Sequence, residues 1–245
     1  MVAKMDANFD WHQGSDADSL ADNLAGELVV KLSEAIARNG IAVMALSGGS
    51  TPKPLFKALA DHDVDWSKVV ITLVDERWVP ETHELSNAAF MHRYLLDALP
   101  DSVRFVPLYQ PAQSVVASYS AVLGNYCVAT SSSMDAPRPF DIVILGMGGD
   151  GHTASFFPDA DNVAELVDPA SSSLLLTCES PTTQVPRITW SLPALLNTQF
   201  LALHFTGAEK RRVFEQACAG TDATELPIRS AIFQQQIPLQ VYYAD

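Results

Sequence analysis

The chain has 245 residues, of which 48% are hydrophobic, so it can bury a sizeable core as a single domain over residues 1–245. Its formal net charge of −14 and the absence of a basic run argue against nucleic acid and anionic membranes as partners. Residues 1–14 contain no apolar core of signal-peptide length. The cysteines are odd in number, and no two of them show C-x-x-C spacing. We therefore expect a cytoplasmic protein with free, mostly buried thiols at Cys127, Cys178 and Cys218.

Helical segments alternate with short apolar runs along the chain. An amphipathic helix is predicted from Ser15 or Asp16 to Asn39, because leucines recur on one stripe and Asn39-Gly40 supplies a stop. Further helices are predicted over residues 52–60, 87–96, 115–128 and 209–219. Apolar runs too short for helices predict strands over residues 41–46, 69–74, 140–145, 173–177, 200–205 and 239–243. This alternation predicts an α/β fold with a mostly parallel, Rossmann-like sheet covered on both faces. Residues 130–139 are predicted to form a loop inside that domain.

Polar and glycine residues are concentrated where the predicted strands end, and open parallel sheets bind ligands at that edge. The first such segment, SGGSTP, contains Ser47, Gly48, Gly49, Ser50 and Thr51. Pro52 suits the first helical position, and Ser50 or Thr51 can cap the helix. Free N–H groups there suit a phosphate, although the Walker A spacing is absent. A capped helix start without a ligand is equally open from these residues alone.

The second segment, DERWVP, puts Asp75 and Arg77 at the next strand end. The carboxylate can accept hydrogen bonds from sugar hydroxyls or orient a water molecule. The guanidinium can bind an anion or a developing oxyanion. A surface ion pair is the alternative, and Glu76 is expected to point away.

The third segment, GMGGDGHTASFFP, presents His152 in a glycine-rich turn. Its glycines match the G-x-G-x-x-G pattern of a dinucleotide turn, but Pro158 leaves no room for the long helix that such a turn requires. We therefore interpret the match of Gly146, Gly148 and Gly151 as accidental. A histidine here can act as a general base, with Asp150 fixing its orientation or tautomer. A structural histidine is the alternative.

The context of the other histidines and the absence of known catalytic and metal-binding motifs restrict the reactions that this chain can catalyse. Five histidines have no comparable context and are interpreted as structural or surface residues: His12, His62, His83, His92 and His204. The sequence has no G-x-S-x-G elbow, no H-E-x-x-H motif and no Cys/His spacing for zinc. We therefore expect neither a metal nor a cofactor, and a reaction on an anionic substrate with water activated by His152.

Six segments resemble, in family order, the 6-phosphogluconolactonase family and cover nearly the whole chain. They are SGGSTP (47–52), DERWVP with Ser86-Asn87, GMGGDGHTASFFP (146–158), PRITWSLPALLN (186–197), TGAEK (206–210) and LPIRSAIFQQQIPLQVYYA (226–244). The resemblance implies a three-layer α/β/α sandwich related to glucosamine-6-phosphate deaminase and ribose-5-phosphate isomerase. It also implies hydrolysis of 6-phospho-D-glucono-1,5-lactone to 6-phosphogluconate in the oxidative pentose phosphate pathway.

Roles for the site residues follow from this resemblance. The substrate phosphate would lie on residues 47–51, helped by Arg187 and by Lys210 in the first turn of a helix. His152 would deprotonate water for attack on the lactone carbonyl and would return the proton to the ring oxygen. Arg77 would stabilise the oxyanion, and Asp75 would position water or sugar hydroxyls. The expected partner is this small sugar-phosphate lactone, bound by a monomer or a small homo-oligomer.

Two other functions remain open. A glucosamine-6-phosphate deaminase would also use Asp75 and the Asp150–His152 pair, but that family carries a glutamate just before the proline ending the histidine loop. Phe157 stands there in this chain, and its ring cannot transfer protons. A non-catalytic sugar-phosphate sensor of a transcriptional regulator would need a DNA-binding extension. About 14 residues before the first helix and no basic patch leave no room for one.

Overall fold

The computed structural model describes residues 7–112, 114–183 and 185–245. Residues 1–6, on which the signal-peptide prediction partly rests, lie outside them. The described residues form ten strands: β1 (Phe9–Gln13), β2 (Ala42–Leu46), β3 (Val69–Leu73), β4 (Asp75–Arg77), β5 (Arg104–Val106), β6 (Phe140–Leu145), β7 (Leu175–Cys178), β8 (Arg187–Trp190), β9 (Thr198–Thr206) and β10 (Leu239–Ala244). They also form eight α-helices: α1 (Ala17–Asn39), α2 (Lys53–Ala60), α3 (Asn87–Tyr94), α4 (Val115–Thr130), α5 (Val163–Leu166), α6 (Leu192–Leu196), α7 (Ala208–Ala219) and α8 (Arg229–Ile232).

Seven of the strands form a parallel sheet in the order β1-β10-β9-β6-β2-β3-β5. Its central strands β2, β3 and β6 are buried along their whole length, because helices cover both faces of the sheet. Such strands read as nearly continuous apolar runs in the sequence, interrupted here only by Thr72 in β3 and Asp141 in β6. The predicted three-layer α/β/α arrangement is confirmed.

The long first helix has the predicted start and stop. The Asp16 side chain accepts a hydrogen bond from Ser19 N at 2.8 Å, and Ser19 Oγ accepts one from Asp16 N at 3.3 Å. This reciprocal pair satisfies backbone donors that a helix start leaves free. Gly40 ends the helix in the left-handed conformation, with φ of 75°. The leucine stripe is fully buried: Leu20, Leu24, Leu28 and Leu32.

The order of the strands reverses between β2 and β6. From β2 the chain moves outward through β3 to β5, whereas from β6 it moves the other way through β9 to β10. Loops that leave two neighbouring strands in opposite directions open a crevice at the carboxyl edge. This crevice lies between the segments that begin at Ser47 and Gly146.

The run over residues 173–177 was expected to join the parallel sheet, and that expectation is wrong. Residues 175–178 form β7, which pairs antiparallel with β8 in a separate sheet of order β4-β8-β7. The helix before β7 is the four-residue α5. It is too short to serve as the crossover that a further parallel strand in the main sheet would need. The strands β1, β4, β5 and β8 were not predicted.

The helices and the cysteines bear on membrane insertion and on thiol chemistry. None of the helices in the described part of the chain combines the length and apolar character needed to cross a bilayer. Cys127 and Cys178 are buried and Cys218 is partly buried, and all three are free thiols, as predicted.

Candidate active site

A cavity of about 250 Å³ opens at the carboxyl ends of β2, β3, β6 and β9. Ten of the eleven predicted site residues line it: Ser47, Gly48, Gly49, Ser50, Thr51, Asp75, Arg77, His152, Arg187 and Lys210. The eleventh, Asp150, contacts His152. The structure therefore brings the predicted site residues together, from segments that lie far apart in the sequence.

The loop of residues 47–51 connects β2 to α2. Gly48 has no room for a side chain, because a Cβ atom there would lie 2.2 Å from Asn87 Oδ1. Gly49 has φ of 103°, which favours glycine. The expectation that Ser50 or Thr51 caps α2 is wrong: Pro52 is the N-cap, and no side chain makes the capping hydrogen bond. The first-turn N–H groups are consequently not occupied by a side-chain cap.

The small antiparallel sheet positions three charged residues at the cavity. Strand β4 pairs with β8 so that Arg77 lies directly opposite Arg187. Side chains alternate along a strand, and so Asp75 and Arg77 face the cavity while Glu76 faces away, as expected. Two guanidinium groups held side by side repel one another, and an anion bound between them would relieve this repulsion.

Glu76 binds the start of α3 and does not face the cavity. Its carboxylate accepts hydrogen bonds from Arg77 N, Asn87 N and Ala88 N, each at 2.7 Å, and from Ser86 Oγ at 3.2 Å. Burial raises the pKa of this carboxyl to about 7, against the lowering effect of the backbone donors. The contacts hold the start of α3 against β4.

Asp75 is buried and has two side-chain partners. Its Oδ2 accepts a hydrogen bond from Ser155 Oγ at 2.5 Å and lies 3.7 Å from Arg187 Nη1. The Asp75 carbonyl oxygen accepts from Asn87 Nδ2 at 3.0 Å. These contacts fix the carboxylate at the wall of the cavity.

Both arginines line the cavity, and each has its Nε atom buried against the protein. Arg77 Nη1 donates to Leu85 O at 2.5 Å. The Nε atoms of Arg77 and Arg187 are buried without a partner among the described residues. Burial lowers the pKa of Arg187, as does Arg77, while Asp75 raises it. A buried donor without a partner costs free energy, so holding the two guanidinium groups here is unfavourable for the protein alone.

The histidine loop is shaped by close contacts around its glycines. A Cβ atom at Gly148 would lie 2.2 Å from the His152 ring, and one at Gly151, where φ is 76°, would lie 2.5 Å from Leu226. Gly148 N donates to His152 O at 2.9 Å. The next helix is the four-residue α5, so the loop lacks the long helix of a dinucleotide site, as predicted.

His152 and Asp150 form a close pair. His152 Nδ1 lies 2.6 Å from Asp150 Oδ1, which also accepts from His152 N at 3.1 Å. Burial raises the pKa of Asp150, but the hydrogen bonds from His152 outweigh it and lower the pKa overall. An ionised carboxylate only accepts, so Nδ1 is the donor in this pair and Nε2 is the ring nitrogen left to act as a base. The ring packs against Phe157, with centroids 4.2 Å apart.

Lys210 lies in the first turn of α7, as predicted. Its Nζ is 3.5 Å from Thr51 Oγ1, which places the ammonium beside the loop of residues 47–51. Burial lowers the pKa of Lys210. This cation and the N-terminus of α7 together favour an anion in this part of the cavity.

Several lining residues were missed in the sequence. His204 was interpreted as structural or surface, yet it is 3% exposed and lines the cavity together with Lys210. The signal was a histidine near the carboxyl end of an otherwise apolar strand. Asn87 and Met147 also line the cavity. Within the described ranges, no group of three or more His, Cys, Asp or Glu side chains could hold a metal ion.

The chain resembles known proteins over nearly its whole length. Residues 15–239 match the family model described as glucosamine-6-phosphate isomerases/6-phosphogluconolactonase. A 6-phosphogluconolactonase of Mesorhizobium japonicum is 41% identical over 97% of this chain and 96% of its own. A 6-phosphogluconolactonase of Rhizobium meliloti is 40% identical over 98% of this chain and 100% of its own.

Solved structures show the same fold. The crystal structure of a 6-phosphogluconolactonase from Shewanella baltica has a TM-score of 0.89 and 32% identity, and the match covers 97% of this chain and 98% of that one. A monomeric glucosamine-6-phosphate deaminase has a TM-score of 0.75 at 14% identity, over 96% of this chain and 97% of its own, and shares the fold alone. The chain therefore belongs to the glucosamine-6-phosphate isomerase/6-phosphogluconolactonase family.

Proposed function

We propose that this protein hydrolyses 6-phospho-D-glucono-1,5-lactone to 6-phosphogluconate, the lactonase step of the oxidative pentose phosphate pathway. One observation carries the proposal. The His152–Asp150 pair shares a single cavity with the loop of residues 47–51 and Lys210. A base and a phosphate site within one cavity suit a substrate whose phosphate and reactive carbonyl are joined by a sugar chain.

In this proposal His152 acts as the general base. Asp150 accepts the Nδ1 proton, so that Nε2 takes a proton from a water molecule. The resulting hydroxide attacks C1 of the lactone, and the carbonyl oxygen becomes an oxyanion. The nearby Asp150 carboxylate stabilises the imidazolium that forms.

Arg77 is the proposed partner of the oxyanion, because its guanidinium-bearing side chain lines the cavity. The tetrahedral intermediate then collapses with cleavage of the bond between C1 and the ring oxygen. The imidazolium returns its proton to that oxygen, which becomes a hydroxyl group. Asp75, held by Ser155, positions the attacking water or the sugar hydroxyls.

The phosphate is assigned to the loop of residues 47–51, with Lys210 and Arg187 as its cations. Lys210 contacts the loop through Thr51. Arg187 lies against Asp75 and over the Phe157 ring, with its guanidinium carbon 5.2 Å from the ring centroid. For a chain with a net charge of −14, these local cations must overcome a repulsive overall field.

Deaminase chemistry is the second candidate, because the related deaminases share the fold. Phe157 argues against it. The ring is buried and packs between His152 and Arg187, where it offers no group that can move a proton during an isomerisation.

The test compares three activities of the purified chain. It is given the phosphorylated lactone, glucosamine 6-phosphate and duplex DNA, and the measured quantities are acid release, ammonia release and DNA binding. Lactones open slowly without an enzyme, so a buffer blank is subtracted. The proposal predicts lactone hydrolysis alone. Ammonia release without lactone hydrolysis would establish the deaminase, and DNA binding without turnover would establish a regulator.

A further inference from the structure

His204 is a buried polar side chain in the cavity for which the proposed mechanism has no use. It lies near the carboxyl end of β9, and its neighbour in register on β10 is Tyr242. The residue is 3% exposed, and neither Nδ1 nor Nε2 has a hydrogen-bond partner among the described residues. Buried imidazole nitrogens without partners are unfavourable. A neighbouring side chain that turns toward the ring would satisfy one of them.

Lys210 is the cation that acts on His204. Both residues line the cavity. Burial, followed by the charge of Lys210, lowers the pKa of His204 to about 4. Tyr242, the neighbour on β10, is uncharged as well, since burial raises its pKa to about 12. His204 is therefore a neutral ring near an ammonium group, and a neutral ring nitrogen can accept a hydrogen bond that a protonated one cannot.

The Lys210 ammonium is itself only weakly held. Its contact with Thr51 Oγ1 is 3.5 Å long, at the limit of a hydrogen bond. An ammonium group has three donors on a flexible stem, so one contact of this length does not fix its direction. A second acceptor would fix it without neutralising the charge that the phosphate needs.

We propose that His204 is a positioning residue for phosphate recognition: when the substrate binds, the Lys210 ammonium turns to donate a hydrogen bond to the imidazole, which has no partner in the described part of the chain, and is thereby directed toward the phosphate. This inference rests on the proposed function of the cavity. A carboxylate at position 204 would hold the lysine more strongly but would repel the phosphate. An imidazole supplies the acceptor without a negative charge.

The experiment compares His204→Leu, which removes both ring nitrogens, with His204→Gln, which keeps an acceptor of similar reach. His62→Leu is the matched control, because His62 is exposed and lies outside the cavity. The leucine variant should raise KM for the phosphorylated lactone about 10-fold, with kcat unchanged. It should leave the hydrolysis of unphosphorylated gluconolactone unchanged, and the glutamine variant should restore KM.

A Lys210→Met background separates positioning from direct contact. In that background His204→Leu should have no further effect on KM, because the ammonium that it positions is gone. An additional rise in KM there would overturn the inference, as would equal damage to both substrates or no effect at all. If the leucine variant fails to fold, His204→Asn, whose amide is too short to reach, is tested with the same expected result.

The affinity of the same variants for 6-phosphogluconate, measured by calorimetry, tests the role of His204 independently of whether the chain hydrolyses the lactone. Weaker binding by His204→Leu, absent in the Lys210→Met background, would support the inference even if the wild-type chain hydrolysed no lactone. Unchanged binding with intact wild-type hydrolysis would overturn the inference alone.

Discussion

Lys210→Met tests whether the part of the cavity beside the loop of residues 47–51 binds the phosphate. The substitution keeps the length of the side chain and removes the ammonium that lies 3.5 Å from Thr51 Oγ1. A hydrogen bond to a charged group contributes about 1.5–3 kcal/mol, which corresponds to about a 10- to 150-fold change in affinity. Because Lys210 is half-buried, solvent screens this interaction less than it would a surface pair. We expect KM for the phosphorylated lactone to rise within that range.

Unphosphorylated gluconolactone provides the contrast, since Lys210→Met should leave its hydrolysis nearly unchanged. Acid release with a pH indicator measures both substrates without a coupling enzyme, after subtraction of the buffer blank. Lys57→Met is the matched control, because Lys57 is exposed on α2 and lies outside the cavity lining. Equal losses on both substrates would refute the assignment of Lys210 to the phosphate.

The same site should respond in defined ways to chelation, to loss of the Asp150 charge and to acid. EDTA should leave lactone hydrolysis intact, because His152 and Arg77 are the groups assigned to the reaction and neither requires a metal. A loss of activity that one divalent ion restores would contradict this. Asp150→Asn should lower kcat about 10-fold. This is the low end of the range for a charge-assisted hydrogen bond, because the side chains of Asp150 and His152 are about a third exposed. An unchanged kcat would mean that the pair is dispensable. Burial lowers the pKa of His204 to about 4 in the folded chain. As pH falls below the ordinary value near 6.5, His204 is therefore protonated in the unfolded chain but not yet in the folded one. The folded state should lose about 3 kcal/mol of stability by pH 4. Urea unfolding of His204→Gln should show a smaller loss over that window, and parallel curves would contradict the reasoning.

The central part of the fold could be predicted because its strands are buried on both faces. The runs that became β2, β3 and β6 are nearly continuous apolar stretches, and their boundaries in the structure differ by at most one residue from those predicted. The first helix was equally clear from its leucine stripe, the capping Asp16 and the terminal Gly40. Since parallel strands share one carboxyl edge, the segments after them could be expected to meet.

The small sheet could not be predicted, because β4 and β8 are short and have charged residues at their ends. The pairing of Arg77 with Arg187 joins positions far apart in the chain and leaves no local pattern. The place of His204 in the cavity lining could not be predicted for a related reason, since the face toward which a strand residue points is set by the packing of the sheet. The missing cap on α2 reflects a loop that turns through Gly48 and Gly49 against Asn87.

The kcat of His152→Asn on 6-phospho-D-glucono-1,5-lactone tests the assigned general base most directly. The asparagine amide can keep the hydrogen bond to Asp150 that His152 Nδ1 makes at 2.6 Å, while the basic Nε2 is lost. Positioned bases contribute roughly 10²- to 10⁴-fold in rate, so kcat should fall by about that range with product affinity nearly intact. A folded His152→Asn variant that keeps the wild-type kcat would show that His152 is structural and would contradict the mechanism.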